Sequence, residues 1–396
     1  MAGLALYIHV PFCRHKCIYC DFYSSTHTAL LPRYLESLQQ EIAYYRRHPA
    51  FAGKTLTSIY WGGGTPSLIP PEEIHTLLEQ IRSGWALSPA AEITLEANPG
   101  ALDSAHLAGY RQAGINRLSM GIQSFHDSEL ALLTRIHSAA EALSALASAR
   151  AAGFANISLD LIFGLPGQSN SDYEASLRQA IACRPAHLSL YGLTIETGTP
   201  LAQAVGSGRL QPCDEEVERE MFLTGKKMAE KAGYQHYEIS NYALPGCEAR
   251  HNQHYWEGEA YLGLGPAAHS FAAGERFWNG RDLEGYLAAW RRNEPAVAGR
   301  ERIGREEEKS EALLLGLRRR AGIDLARWRE RFGEELLDRG GRAIERLGGC
   351  CQGLPPFSAA PGEELLTLNS GHLALTQAGV LLYDMVCQEL CAALCA

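Results

Sequence analysis

Residues 4–22 read LALYIHVPFCRHKCIYCDF, and the first seven of them decide the fold class. The run at 4–10 is apolar but short, has no basic region before it, and meets Pro11 and a group of cysteines. It reads as a buried strand, not as a signal peptide or other targeting segment. Five runs of the same kind follow at 56–61, 92–97, 117–122, 157–162 and 188–193. Several are almost wholly apolar, as parallel strands covered on both faces are. Helical stretches lie between and after them, at 32–48, 71–82, 103–113, 138–152, 171–183 and 214–232. Pro32 and Pro71 suit a first helical turn, Glu72 and Glu73 favour a helix N-terminus, and Asp103 is a capping residue. Gly114, Gly153 and Gly233 stand where helices stop. Strand and helix in alternation imply a parallel sheet with right-handed crossovers. Six such units make an α/β fold of the partial (β/α)6 barrel type. Residues 235–277 read as further extended and loop structure around its rim.

The chain of 396 residues is too long for one small domain, and its composition shifts near residue 295. Residues 301–345 hold 11 basic and 11 acidic side chains, the solvated faces of exposed helices and not a phosphate-binding patch. Helices are expected at 306–320 and 324–337. A hairpin follows (365–368, turn 369–371, 372–375), then a helix from about Thr376. Residues 1–295 and 300–396 therefore read as two domains. The second is a small helical, winged-helix-like domain, or equally a structural cap on the barrel. A net charge of −9 argues against a generic nucleic-acid binder. No apolar run approaches membrane-spanning length, so the expectation is a cytoplasmic protein. In a reducing compartment clustered cysteines are metal ligands more often than disulfides.

There are 11 cysteines. Cys13, Cys17 and Cys20 form a Cys-x3-Cys-x2-Cys pattern just past the first strand, at the rim where such barrels place active sites. Three thiolates so spaced can hold an iron–sulfur cube and leave one iron open to a small molecule. His15 and Lys16 put positive charge among them. A redox pair would leave Cys13 unexplained, and a zinc site lacks a fourth ligand at matching spacing. Of the others, Cys183, Cys213 and Cys247 read as packing residues, and Cys350 and Cys351 fall in a Gly-rich loop. Cys387, Cys391 and Cys395 share one helix face, a small apolar seam. Elsewhere on the rim, YWGGGTPS at 60–67 lets backbone approach a ligand, yet is neither a Walker nor a Rossmann loop. Glu96 and Gln123 end strands, Arg135 follows, and Asp160 stands inside an apolar strand. Such an Asp is costly unless paired, and a structural Asp–Arg bridge is the plain reading.

The stretch YIHVPFCRHKCIYCDF resembles the signature of radical S-adenosylmethionine (SAM) enzymes. The wider pattern resembles the coproporphyrinogen III oxidase-like subfamily over essentially the whole chain. The resemblance implies a [4Fe–4S] cluster on Cys13, Cys17 and Cys20, whose open iron binds SAM by its amino and carboxylate groups. One electron then cleaves the sulfonium to methionine and a 5′-deoxyadenosyl radical. It also implies a SAM pocket lined by Tyr7, Tyr19, Gly63, Gly64, Thr65, Glu96, Gln123, Arg135 and Asp160. Some of these belong to a second SAM in the oxidase branch. That branch decarboxylates two propionates of its porphyrinogen, and is the alternative function here. It usually carries a further cysteine where this chain has Phe22, and a longer extension than the six residues before Tyr7. Both departures fit the sister branch, the HemW-type haem chaperones. That branch carries an His-Asn-x-x-Tyr-Trp motif, met here as His251, Asn252, Tyr255 and Trp256. It implies haem as a third cofactor, with His251 as iron ligand and His254 the lesser candidate, although buried His and Trp are usually packing elements. The implied partners are haem or porphyrin and haem-accepting proteins such as respiratory enzymes. The cluster then serves dimerisation or transfer, so a homodimer is among the assemblies the resemblance admits.

Overall fold

A computed structural model describes residues 3–349 and 364–395. Six strands run parallel in chain order: β1 (Gly3–Val10), β2 (Thr55–Gly63), β3 (Ala86–Ala97), β4 (Arg117–Gln123), β5 (Asn156–Phe163) and β6 (His187–Gly192). Their crossovers contain α1 (Leu31–Tyr45), α2 (Pro71–Gly84), α3 (Ser104–Ala113), α4 (Asp127–Leu132), α5 (Ala139–Ala151) and α6 (Asn170–Ala182). After β6 come α7 (Pro200–Gly206) and α8 (Glu215–Lys231). Local chemistry sets the boundaries. Asp103 caps α3 through the His106 N–H, and Gly114 closes it at φ 112°. Ser138 with Glu141, and Ser169 with Asp172, form capping boxes on α5 and α6.

The strands are not apolar on both faces. Leu4, Leu6, Ile8 and Val10 of β1 join Ile59, Trp61, Ile93 and Leu95 in the core beneath the helices. Between them alternate Tyr7 and His9, Ser58 and Tyr60, Glu92 and Glu96, Arg117 and Ser119, Ser158 and Asp160, and His187 and Ser189. Successive side chains of a strand point to opposite faces, so this second set shares the face away from the helices. Its members bond one another there, as Tyr60 does Glu96 and Ser158 does His187. The expectation of doubly apolar strands holds for one face only, and the other is a polar lumen.

β1 is also not an edge. Tyr261–Leu264 runs parallel to it on the side away from β2, and antiparallel His269–Ala272 and Glu275–Asn279 continue the sheet outward. The rim segment expected as extended and loop thus builds sheet, and it includes a short helix, α9 (Arg250–Trp256).

The chain divides into two compact units: Met1–Gln235 with Tyr242–His251 and Glu259–Glu301, and His236–Asn241 with Asn252–Gly258 and Arg302–Ala396. The second unit holds helices Arg305–Arg318, Leu325–Phe332, Leu336–Gly349, Gln377–Leu381 and Tyr383–Cys395. It also has a small antiparallel sheet of Ile323–Asp324, His372–Leu375 and Leu366–Asn369. One helix was expected at 324–337, but Gly333 in the left-handed region (φ 66°) ends it at Phe332 and a second begins at Leu336. Cys387 is buried on the last helix and Cys391 is half-buried. Cys350 and Cys351 lie outside the described residues. No helix among the described residues is long and apolar enough to cross a membrane.

Candidate functional site

The cysteine loop leaves β1 and is pinned at both ends. Phe12 bridges Ser25, the Ser25 N–H donates to the Pro11 carbonyl at 2.7 Å, and the Cys13 N–H donates to the Ser25 carbonyl at 3.0 Å. The Cys20 N–H reaches back to the Cys17 carbonyl, closing a turn that brings two thiols to one end of the loop. Leu283 N–H donates to the Tyr23 hydroxyl and Arg281 to the Asp21 carbonyl. Buried His9 braces the loop from β1. Its Nε2 donates to the Tyr23 carbonyl at 2.8 Å, which leaves Nδ1 to accept from the Tyr7 hydroxyl at 3.1 Å. Burial holds this imidazole neutral, with its pKa lowered to about 4.

Cys13 is buried, and Cys17 and Cys20 are half-buried. The Thr65 hydroxyl donates to Cys13 Sγ at 3.6 Å, and Arg135 donates to Cys17 Sγ at the same distance. Arg135 also holds the Gly121 carbonyl at 2.7 Å and bonds the Tyr19 hydroxyl. Burial, more than its neighbouring thiols, pushes the Cys20 thiol up, against the sense expected from the flanking cations. Among the described residues no three His, Cys, Asp or Glu side chains converge on one point fit for a single ion. Gly64 packs onto the root of the loop. Its N–H donates to the Val10 carbonyl, and a Cβ there would stand 2.6 Å from the Phe12 carbonyl oxygen.

The lumen supplies the remaining groups. Glu96 accepts from the Tyr60 hydroxyl at 2.8 Å and from the Gly63 N–H at 3.2 Å. Burial outweighs both bonds and raises its pKa to about 7. Gln123 sits at a register shift between β4 and β5 with φ 69°, a strained conformation of the kind that gathers at functional positions. Asp160 accepts from Ser119 and Ser158 at 3.1 Å, with Ser189 a further donor. Its pKa is still raised, by burial first. Its hydrogen-bond partners are hydroxyls, and the buried Arg117 guanidinium adds a favourable charge that pulls in the opposite direction. Tyr7, Tyr19, Gly63, Gly64, Thr65, Glu96, Arg135 and the three cysteines thus meet around one end of the lumen.

Residues 7–180 match the Radical SAM superfamily, and residues 303–382 match the HemN C-terminal domain. A heme chaperone HemW of Mycobacterium tuberculosis is 36% identical over 389 residues, covering 97% of this chain and 94% of that one. The chain belongs to the HemW heme chaperone family. A HemW of Synechocystis is 39% identical over 332 residues, covering 81% of this chain and 79% of its own length. Among solved structures, Escherichia coli coproporphyrinogen III oxidase (HemN) superposes with a TM-score of 0.83 at 23% identity, over 98% of this chain and 90% of that one. That likeness bears on the fold. Membership of the radical SAM superfamily implies a [4Fe–4S] cluster and SAM.

The residues fit that pair of groups. Three thiols lie on one loop, two of them receive hydrogen bonds, and glycine allows backbone to pack where a side chain would collide. The motif histidine of the HemW branch does not fit an axial haem ligand as it stands. His251 is 1% exposed, its Nδ1 lies 2.9 Å from Ser58 Oγ, and its ring stacks on Tyr60 at 5.0 Å. His254 is half-buried. Residue types alone did not single out His9, Ser58 or Glu92. The signal that marks them is the period-2 recurrence of polar residues in strands whose other face is apolar.

Proposed function

We propose that this protein holds a [4Fe–4S] cluster on Cys13, Cys17 and Cys20, binds SAM against the rim of the lumen, and passes haem to acceptor proteins such as respiratory haem enzymes. The observation that carries the reading is its similarity to heme chaperone HemW along nearly the full length of both chains. The cluster loop supports it. When bound, the cluster supplies an electron and an open iron for SAM. Thr65 and Arg135 direct hydrogen bonds at two of the thiol sulfurs, and such bonds tune a cluster's potential. Glu96, once ionised, holds the ammonium of a bound amino acid moiety, and Gly63 and Gly64 keep Cβ atoms out of its path. Gln123 and Asp160 offer hydrogen bonds to the remainder of the ligand. The haem arm rests on family membership, with His254 as the motif's more accessible imidazole. A cytoplasmic location and a homodimer complete the reading.

Anaerobic reconstitution followed by separate titrations with SAM and haem tests it. The expected results are a broad absorption near about 400 nm lost in Cys17→Ser, saturable SAM binding, and a Soret shift on adding haem. No Soret shift would sink the chaperone reading. Release of carbon dioxide from coproporphyrinogen III in the presence of SAM and a reductant would replace it with the oxidase reading.

A further inference from the structure

Three rings lie together on the lumen face: Tyr7, Tyr60 and His251. Tyr7 and Tyr60 stack at 6.2 Å and 25°, Tyr60 and His251 at 5.0 Å and 27°. His251 is held from several sides. Ser58 Oγ is 2.9 Å from Nδ1, and the backbone N–H donates to Glu92 Oε1 at 3.2 Å. Glu92 in turn lies 3.9 Å from Arg117, both of them buried. On the far side of Tyr60, its hydroxyl bonds Glu96, whose other oxygen takes the Gly63 N–H. A continuous set of contacts therefore runs from His251 through Tyr60 to the carboxylate at the rim.

The packing has no slack. A Cβ on Gly62 would stand 2.9 Å from the Tyr60 ring, 3.0 Å from the Tyr7 ring and 3.2 Å from Glu96 Oε1. Close-packed interiors transmit the loss of a neighbour instead of absorbing it. Removing the imidazole opens space against Tyr60, and the Tyr60 hydroxyl is what aims Glu96. An imidazole that is 1% exposed cannot reach the iron of a macrocycle without abandoning these contacts.

We propose that His251 is a positioning residue of the SAM pocket, setting the Tyr60–Glu96 pair through ring stacking and its Ser58 contact, and that it is not the haem ligand. The inference rests on reading the rim as the SAM site. It departs from the role implied for the His-Asn-x-x-Tyr-Trp motif, whose first residue then serves the other cofactor.

The test titrates SAM by equilibrium dialysis, and haem by its Soret band, on anaerobically reconstituted full-length protein. His251→Ala is expected to weaken SAM binding about tenfold, the worth of one aromatic contact and one hydrogen bond. Cluster absorbance and the haem titration stay at their wild-type values. His251→Phe keeps a ring against Tyr60 and recovers most of the affinity. Ser58→Ala keeps the imidazole but removes its hydroxyl partner, and costs about threefold. Wild-type SAM affinity in His251→Ala overturns the proposal, as does a Soret shift lost in both His251 variants while SAM affinity is kept. If His251→Ala does not fold, unchanged SAM affinity in Ser58→Ala overturns it instead. Wild-type protein that binds no SAM refutes the SAM reading of the rim, a failure separate from any difference among variants.

Discussion

Glu96 illustrates how one residue of this site is tuned. Its carboxyl is surrounded by two hydrogen-bond donors, yet burial keeps its pKa at about 7, well above the ordinary 4.5. Near neutrality the group is therefore divided between acid and carboxylate. Only the carboxylate attracts an ammonium group. Lowering the pH below about 7 protonates Glu96 and removes that attraction, so SAM affinity is expected to fall, approaching about tenfold per pH unit well below the pKa. Raising the pH above 7 ionises the remaining acid form and adds at most about twofold from this residue. Glu96→Gln should weaken SAM binding near neutral pH and flatten its pH profile between 5.5 and 7.5. A slope that survives in Glu96→Gln would assign the titration elsewhere. Glu96 was legible as a candidate because it ends a strand. Its tuning was not, since that depends on Tyr60 from the neighbouring strand and on the depth of the lumen.

At the level of elements, the six strands and the helices between them were readable because each carries its own signal. Pro71, Asp103 and Ser138 mark helix starts within the local sequence. At 235–277 only the extended character was readable, and the strand pairing was not. Tyr261–Leu264 earns its place in the sheet by pairing with β1, 256 positions away at the register Ala5 to Tyr261, and short strands have no internal signature of such a partner. The rim glycines are a matching case, in which the element, not the residue type, fixes the need. Gly64 joins β2 to the cluster loop through its N–H to the Val10 carbonyl, and Thr65 repeats the contact to Phe12 at 2.7 Å. In Gly64→Ala the new Cβ meets main-chain atoms of Val10 and Phe12, none of which is a flexible side-chain end. The loop must shift, and the thiols shift with it. The expected outcome is a folded protein, with far-ultraviolet circular dichroism as in the wild type, that takes up well under half the wild-type iron and sulfide on reconstitution. Full cluster loading in Gly64→Ala would show that the loop tolerates the displacement.

Across the first unit, a single buried carboxylate ties the added strands to the barrel. Glu41 on α1 is 0% exposed and accepts from the Gly265 N–H, the Asn279 amide and the Tyr286 hydroxyl, each at 2.7 Å. Nothing in the sequence around Glu41 announces this, because an acidic residue on an amphipathic helix reads as solvated and its three donors lie more than 220 positions on. Burial raises its pKa to about 7 against the pull of the three donors. The unfolded chain, with an ordinary Glu, releases this proton near 4.5. Between those values the folded state binds more protons than the unfolded one, so the stability Glu41 contributes is present at low pH and is lost as pH rises through about 7. Buried histidines act in the opposite sense. His9 and His137, both lowered to about 4, favour the folded state above 6.5 and lose that contribution as pH falls. Wild-type stability against pH is the sum of these opposed slopes, so it does not report Glu41 by itself. The difference between wild type and Glu41→Gln does, because the histidine contributions are common to both chains and cancel. The thermal midpoint of the wild type relative to Glu41→Gln should therefore be most favourable near pH 4.5, decline as the pH rises to about 7, and level off above it. A difference that stays constant over that range would mean that Glu41 is ionised throughout, its charge satisfied by the three donors alone.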